Sequence, residues 1–119
     1  MTKPLKADIL VVDDDPKVIE ILSGYLQDAG YKTMSASSGK RALQLAREYQ
    51  PFAITLDIMM PEMDGFETMA RIRSEYHYKK LPLIALTAKA MKGDRHKCIE
   101  AGANDYLAKP VDKIGRAHV

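Results

Sequence analysis

Asp13-Asp14, Asp57, Thr87 and Lys109 each directly follow a short apolar run. Three carboxylates drawn together repel one another and call for a bound cation. An all-oxygen set of this kind suits Mg²⁺, which keeps several waters and also grips phosphate oxygens. A lysine adds a point charge for a phosphate oxygen, and a threonine hydroxyl adds a hydrogen bond. One of the carboxylates could then act as a nucleophile and accept a phosphoryl group. Such a transfer needs mainly positioning and charge neutralisation, and this set offers both.

The elements that would bring these groups together follow from the apolar pattern. Residues 9–12 form a β-branched run ending in acids and read as a buried strand. Pro16 suits the first turn of a helix, with Asp15 as its N-cap. Val18, Ile21, Leu22, Tyr25 and Leu26 recur at helical spacing, and Gly30 closes that helix. A second strand is expected over 31–35. Ser38 then caps a helix whose apolar face is Ala42, Leu43, Leu45 and Ala46, and Pro51 ends it. A third strand over 52–56 runs into Asp57. After a Pro/Gly-bearing loop comes a helix through Phe66, Met69, Ala70 and Ile72. A fourth strand over 81–86 ends at Thr87. A short helix over 94–101 is closed by Gly102, and a fifth strand over 105–108 leads into Lys109-Pro110. Alternating strands and helices imply parallel pairing with helices on both faces. Chemistry in such sheets sits outside the carboxyl ends of the strands, where these polar groups stand.

Four motifs in this order resemble the receiver domain of two-component response regulators. They are Val11-Val12-Asp13-Asp14-Asp15-Pro16, Leu56-Asp57-Ile58-Met59-Met60-Pro61 through Met63-Asp64-Gly65, Leu86-Thr87-Ala88, and Ala101-Gly102-Ala103-Asn104-Asp105-Tyr106 through Lys109-Pro110. No single motif decides; the four together, at these separations, cover almost the whole chain. The resemblance implies an α/β, flavodoxin-like (βα)5 three-layer sandwich with a parallel sheet of order 2-1-3-4-5. It implies that Asp57 is the phosphoacceptor in a phosphorelay switch fed by a phosphohistidine donor. Asp14 and Asp57 would ligate Mg²⁺ (or Mn²⁺) directly, Met59 through its backbone carbonyl, and Asp13 through water. Lys109, Thr87 and the Ala88 backbone N–H would bind the phosphoryl group, with Thr87 and Tyr106 moving as a switch. Pro110 and Gly65 would be structural, the Lys109-Pro110 bond cis. The implied partners are a histidine kinase or histidine phosphotransfer domain and an output domain or target protein. The implied chemistry is self-phosphorylation and autodephosphorylation, not turnover of a separate substrate. Residues 88–95 are most similar to receivers of hybrid sensor kinases.

Each residue alone has a plainer reading. Acids after a strand often only complement the next helix. Asp64-Gly65 alone is an ordinary turn, Thr87 a strand end and Tyr106 a core aromatic. Cys98 reads as packed on a helix, and His77, His96 and His118 as surface. One rival function is an aspartate-nucleophile phosphatase of the haloacid-dehalogenase type, on the strength of Asp13-x-Asp15. Lys17 stands where that pattern expects Thr or Val, and Asp57 would have no job there. The other rival is a degenerate receiver that only binds proteins; the intact acidic set, Thr87 and Lys109 argue against it. Neither Gly-x-Gly-x-x-Gly nor a Walker loop occurs.

Eighteen Lys and Arg against 16 Asp and Glu give a net charge of +2, with no clustered basic face of the kind nucleic-acid binding requires. One cysteine excludes an internal disulfide. The apolar runs are too short to span a bilayer, and residues 1–6 lack a signal-peptide core, so a cytoplasmic location is expected. A length of 119 residues suits one domain. The receiver is expected over 1–113, truncated in its last helix. Residues 114–119, Ile-Gly-Arg-Ala-His-Val, are what a common sequencing adapter would encode and are expected to be a non-native tail. Such truncation would leave an apolar face open to self-association.

Overall fold

A computed structural model describes residues 8–58, 65–75, 81–87, 97, 99–100 and 102–108. The strands are β1 (Ile9–Val12), β2 (Thr33–Ala36), β3 (Ala53–Asp57), β4 (Leu83–Thr87) and β5 (Asp105–Ala108), all paired in parallel in the order β2-β1-β3-β4-β5. The helices are α1 (Pro16–Asp28), α2 (Gly39–Tyr49) and α3 (Gly65–Glu75). Lys97, Ile99 and Glu100 are also helical, and Gly102 (φ 124°) closes that turn by donating its N–H to the Ile99 carbonyl. The rest of the helix expected over 94–101 lies outside the described residues, as do the last helix and the tail.

The helix boundaries are set by the residues the sequence suggested. The Asp15 carboxylate accepts the Lys17 N–H at 2.9 Å and Pro16 occupies the first turn. Gly30 (φ 97°) closes α1: Gly30 N–H bonds Gln27 O and Tyr31 N–H bonds Leu26 O, both at 3.0 Å. That is the paired-bond termination in which a left-handed glycine satisfies the last carbonyls. The Ser38 hydroxyl accepts from Arg41 N–H at 3.1 Å to start α2.

Three strands begin two residues later, or one, than the apolar runs suggest, because residues at their starts either spend backbone groups elsewhere or lack one to give. Tyr31 belongs to the termination of α1, so β2 starts at Thr33. Phe52 bonds back to Asp8 O at 2.8 Å and is 66% exposed, so β3 starts at Ala53 and includes Asp57. Pro82 has no N–H to give, although its carbonyl accepts from Ile54, and β4 starts at Leu83. In α3 the inward stripe is Gly65, Thr68, Met69 and Ile72; Ala70 lies off that stripe and is exposed.

Strand alternation divides the core. Leu10, Val12, Ile54, Leu56, Leu83 and Ala85 meet α2 and α3 on one face. Ile9, Val11 and Leu86 meet Val18 and Leu22 of α1 on the other. Thr55 sits in the ladder between Val11 and Ile84. Its hydroxyl is buried and, among the described residues, has no hydrogen-bond partner. An unmade hydrogen bond at a buried hydroxyl costs about 1–3 kcal/mol. Thr55→Val keeps the shape and removes that cost, so it should raise the chemical-denaturation midpoint by an amount worth roughly 1 kcal/mol. A lowered midpoint would mean the hydroxyl is satisfied after all.

Gly65 is confined for a different reason. A Cβ built there would stand 2.3 Å from Ile58 Cα and 2.7 Å from the Asp57 carbonyl oxygen. The first turn of α3 therefore lies directly on the backbone leaving β3. Gly65→Ala must push the two apart, and overpacking of this kind costs about 1–3 kcal/mol. Equal unfolding midpoints for Gly65→Ala and wild type would refute this close seating.

Candidate functional site

Asp13 is the first residue beyond β1. Its N–H bonds Ala36 O at 3.1 Å, continuing the β1–β2 ladder by one step, and its side chain is fully buried. One Asp13 carboxylate oxygen accepts the Asp15 N–H at 2.9 Å, which fixes the turn into α1. Asp14 follows on the exposed side of that turn. Asp57 is the last residue of β3, paired with Leu86 of β4, and only 2% exposed.

Neighbouring β1 and β3 are in register at Val12 and Leu56. The next residue of each strand path is Asp13 or Asp57, so the register itself brings the two acids together. Carboxylate oxygens of Asp13, Asp14 and Asp57 lie within 4.8 Å of one another. Two of these three groups are withdrawn from solvent, where like charges repel strongly and water compensates least. A hard cation that takes oxygen ligands fits this donor set, with the exposed Asp14 leaving a side on which water or a phosphate oxygen can complete the shell.

Asp15 stands apart from this cluster. Its carboxylate caps α1 and is solvent-exposed. The Asp13-x-Asp15 pair of the phosphatase reading is therefore divided between two jobs, a buried site and a helix cap.

Thr87 is the last residue of β4 and pairs with Ala108 of β5. Tyr106 pairs with Ala85, is half-buried and packs against the core beneath α2 and α3. The backbone thus puts Thr87 at the same end of the sheet as the aspartates, with Tyr106 one turn of the pleat below. Met59, Asp64, Ala88, Lys109 and Pro110 lie outside the described residues, as do Cys98, His77, His96 and His118.

One prominent polar cluster had no signature in the sequence. Arg73, in the last turn of α3, donates to Gly102 O from Nε (3.1 Å) and Nη2 (2.6 Å), to Leu81 O from Nη1 (2.7 Å) and to Asn104 Oδ1 from Nη2 (2.9 Å). Asn104 Oδ1 also accepts Leu83 N–H, and Asn104 N–H bonds Leu83 O, each at 2.8 Å. Partial burial lowers the affinity of the guanidinium for its proton, yet arginine stays charged at neutral pH. Its stem lies over Gly102, where a Cβ would come within 3.3 Å of Arg73 Cγ.

The sequence pattern of the response regulator receiver domain matches residues 9–115. A 14.6 kDa protein of Leptolyngbya boryana, from the sodA1 3′ region, is 46% identical over 107 residues, covering 90% of this chain and 82% of that protein. The DNA-binding dual master transcriptional regulator RpaA of Synechocystis is 38% identical over 104 residues, covering 87% of this chain but 43% of the regulator. The chain therefore spans less than half of that regulator's length. The receiver domain of sensor histidine kinase PA1611 from Pseudomonas aeruginosa PAO1, which holds a magnesium ion in its active-site cleft, superposes with a TM-score of 0.79 at 35% identity, covering 94% of this chain and 93% of that domain. Among the described residues, no helix is long and apolar enough to cross a membrane. A match that begins with the first strand and runs past the last, on a sheet of order β2-β1-β3-β4-β5, makes this chain a member of the response regulator receiver domain family.

Proposed function

We propose that the domain is a phosphorelay switch in which Asp57 accepts a phosphoryl group from a phosphohistidine donor. The observation that supports this best is the gathering of Asp13, Asp14 and Asp57 within 4.8 Å at the carboxyl end of the sheet. In the reaction a carboxylate oxygen of Asp57 attacks phosphorus. An O–P bond forms as the donor's N–P bond breaks, and the released imidazole nitrogen keeps the electron pair and takes up a proton. Near-complete burial holds Asp57 in one orientation and limits competing water.

Asp14 and Asp57 would hold Mg²⁺ directly, with the Met59 carbonyl, and Asp13 would reach it through water. When bound, the ion neutralises charge between the carboxylates and the phosphoryl oxygens. Lys109, Thr87 and the Ala88 N–H would take up phosphoryl oxygens, and Thr87 with Tyr106 would report the change to β5. The magnesium ion in the cleft of the PA1611 receiver is in keeping with this reading. The donor would be a histidine kinase or phosphotransfer domain, and the recipient an output domain or target protein. DNA contact, as in RpaA, would belong to such an output and not to this domain of net charge +2. We assign residues 1–113 to the receiver and 114–119 to a non-native tail, and place the domain in the cytoplasm. The capping of α1 by Asp15 weighs against a phosphatase, and the intact acidic set weighs against a purely protein-binding receiver.

Asp57→Asn is near-isosteric at a strand end and should keep the fold while abolishing phosphorylation. Intact mass after incubation with acetyl phosphate and Mg²⁺ should show one added phosphoryl group on wild type and none on the variant. An undiminished adduct on Asp57→Asn would move the acceptor elsewhere.

Asp14→Ala removes a proposed metal ligand. Partners one step removed from a metal are already worth about 10–100-fold in affinity, so Mg²⁺ affinity should fall by at least about tenfold. Thr87→Ala should leave it unchanged. Superimposable Mg²⁺ titrations of wild type and Asp14→Ala would show that the metal binds at another place.

A further inference from the structure

We propose that Arg73 is a positioning residue for the acidic site and acts through α3, which works as a strut clamped at both ends. One clamp is steric. Gly65, at the start of α3, lies so close to residues 57 and 58 that a Cβ there would meet Ile58 Cα at 2.3 Å, and Gly65 N–H bonds Ile58 O at 3.3 Å. The other clamp is polar. At the far end of the helix the Arg73 fork grips Gly102 O, Leu81 O and Asn104 Oδ1, which belong to the segments that lead into β4 and β5. Between the clamps, Thr68, Met69 and Ile72 are fully buried.

Arg73 is eight residues from Gly65, about 12 Å along the helix axis. Its acceptors are Gly102, Leu81 and Asn104, and the helix is the path by which the strut reaches the backbone of Asp57 and Ile58. Packed side chains alone allow a helix to slide or tilt by small amounts, whereas an arginine on three acceptors fixes its position along the axis. With that hold released, the first turn of α3 loses its fixed pressure on the backbone of Asp57 and Ile58. The hydrogen bond most exposed to the change is the long one from Gly65 to Ile58.

Amide hydrogen exchange followed by NMR tests this without any ligand. Arg73→Gln should speed exchange at Gly65 and Ile58 by about tenfold beyond a control, Leu22→Val, on the opposite face of the sheet, compared at matched distance below each unfolding midpoint. Arg73→Lys, which retains the cation but reaches fewer acceptors, should fall between Arg73→Gln and wild type; it also carries the comparison if Arg73→Gln does not fold. Mg²⁺ affinity, which rests on the function proposed above, should drop several-fold in Arg73→Gln and not in Leu22→Val. Faster exchange confined to Leu83 and Asn104, with Gly65 and Ile58 matching the control, would overturn the strut and leave Arg73 as a local tie. Wild type that fails to bind Mg²⁺ would overturn the metal reading of the aspartates, and the exchange data would still decide the strut.

Discussion

Two carboxylates held almost out of solvent and side by side repel, and in this fold it is strand register that forces them together. Asp13 and Asp57 each follow the paired residues Val12 and Leu56. Two unit charges separated by 4.8 Å or less oppose each other by about 3 kcal/mol or more at an effective dielectric constant near 20. The register cannot relax to avoid this. A slip of one residue would turn Ile54 and Leu56 away from the α2–α3 core and turn Ala53 and Thr55 into it. Burial of a large aliphatic side chain is worth about 1.5–3 kcal/mol, so keeping that alternation outweighs the repulsion. The fold thus holds two nearly buried like charges side by side, and any group that brings positive charge to them relieves that repulsion.

The same logic explains the division of labour among the helices. A helix over the α2–α3 face must follow the sheet closely, because that face carries the larger core. Gly65 lets α3 start against the backbone that leaves β3, where any side chain would collide. The helix therefore does more than cover apolar surface: its first turn borders the residue that ends β3 in the acidic cluster. On the other face α1 starts from the turn that Asp13 braces and Asp15 caps. Both α1 and α3 are thus tied to the acidic end by short-range geometry, α3 through a missing side chain and α1 through two carboxylates.

Much of this was legible in the sequence, and what was not has a common cause. The limits of β1 and β5, the caps Asp15 and Ser38 and the closing Gly30 could be read because each rests on local chemistry within a few residues. The strand-end acids could be read because an acid directly after an apolar run has few places to go in a parallel sheet. The starts of β2, β3 and β4 were misplaced because Tyr31, Phe52 and Pro82 are apolar enough to join a strand, but Tyr31 closes α1, Phe52 is exposed, and Pro82 has no N–H to give. Thr68 was missed because a threonine on a helix announces nothing about burial. Arg73 was missed because its chief partners are main-chain carbonyls, one of them 29 residues away. No side-chain type marks a carbonyl acceptor.

The position of Arg73 also carries an electrostatic argument. A guanidinium close to Asp57 would form a bidentate pair with it, the strongest pairing open to a carboxylate. That pair would occupy the oxygens that the acidic cluster presents and would weaken its attraction for a divalent ion. Placed at the opposite end of α3, about 12 Å from Gly65, the same cation is beyond a Debye length of about 8–10 Å for any solvent path to the aspartates. There it sits in the last turn of α3 and meets the carbonyl of Gly102, which closes another helical segment, and at such ends a positive charge is favoured by the peptide dipoles. Lysine could supply the charge but not the planar fork that serves three acceptors at once. The helix can thus be fixed by a strong cationic contact at one end while the carboxylates at the other end keep their negative potential.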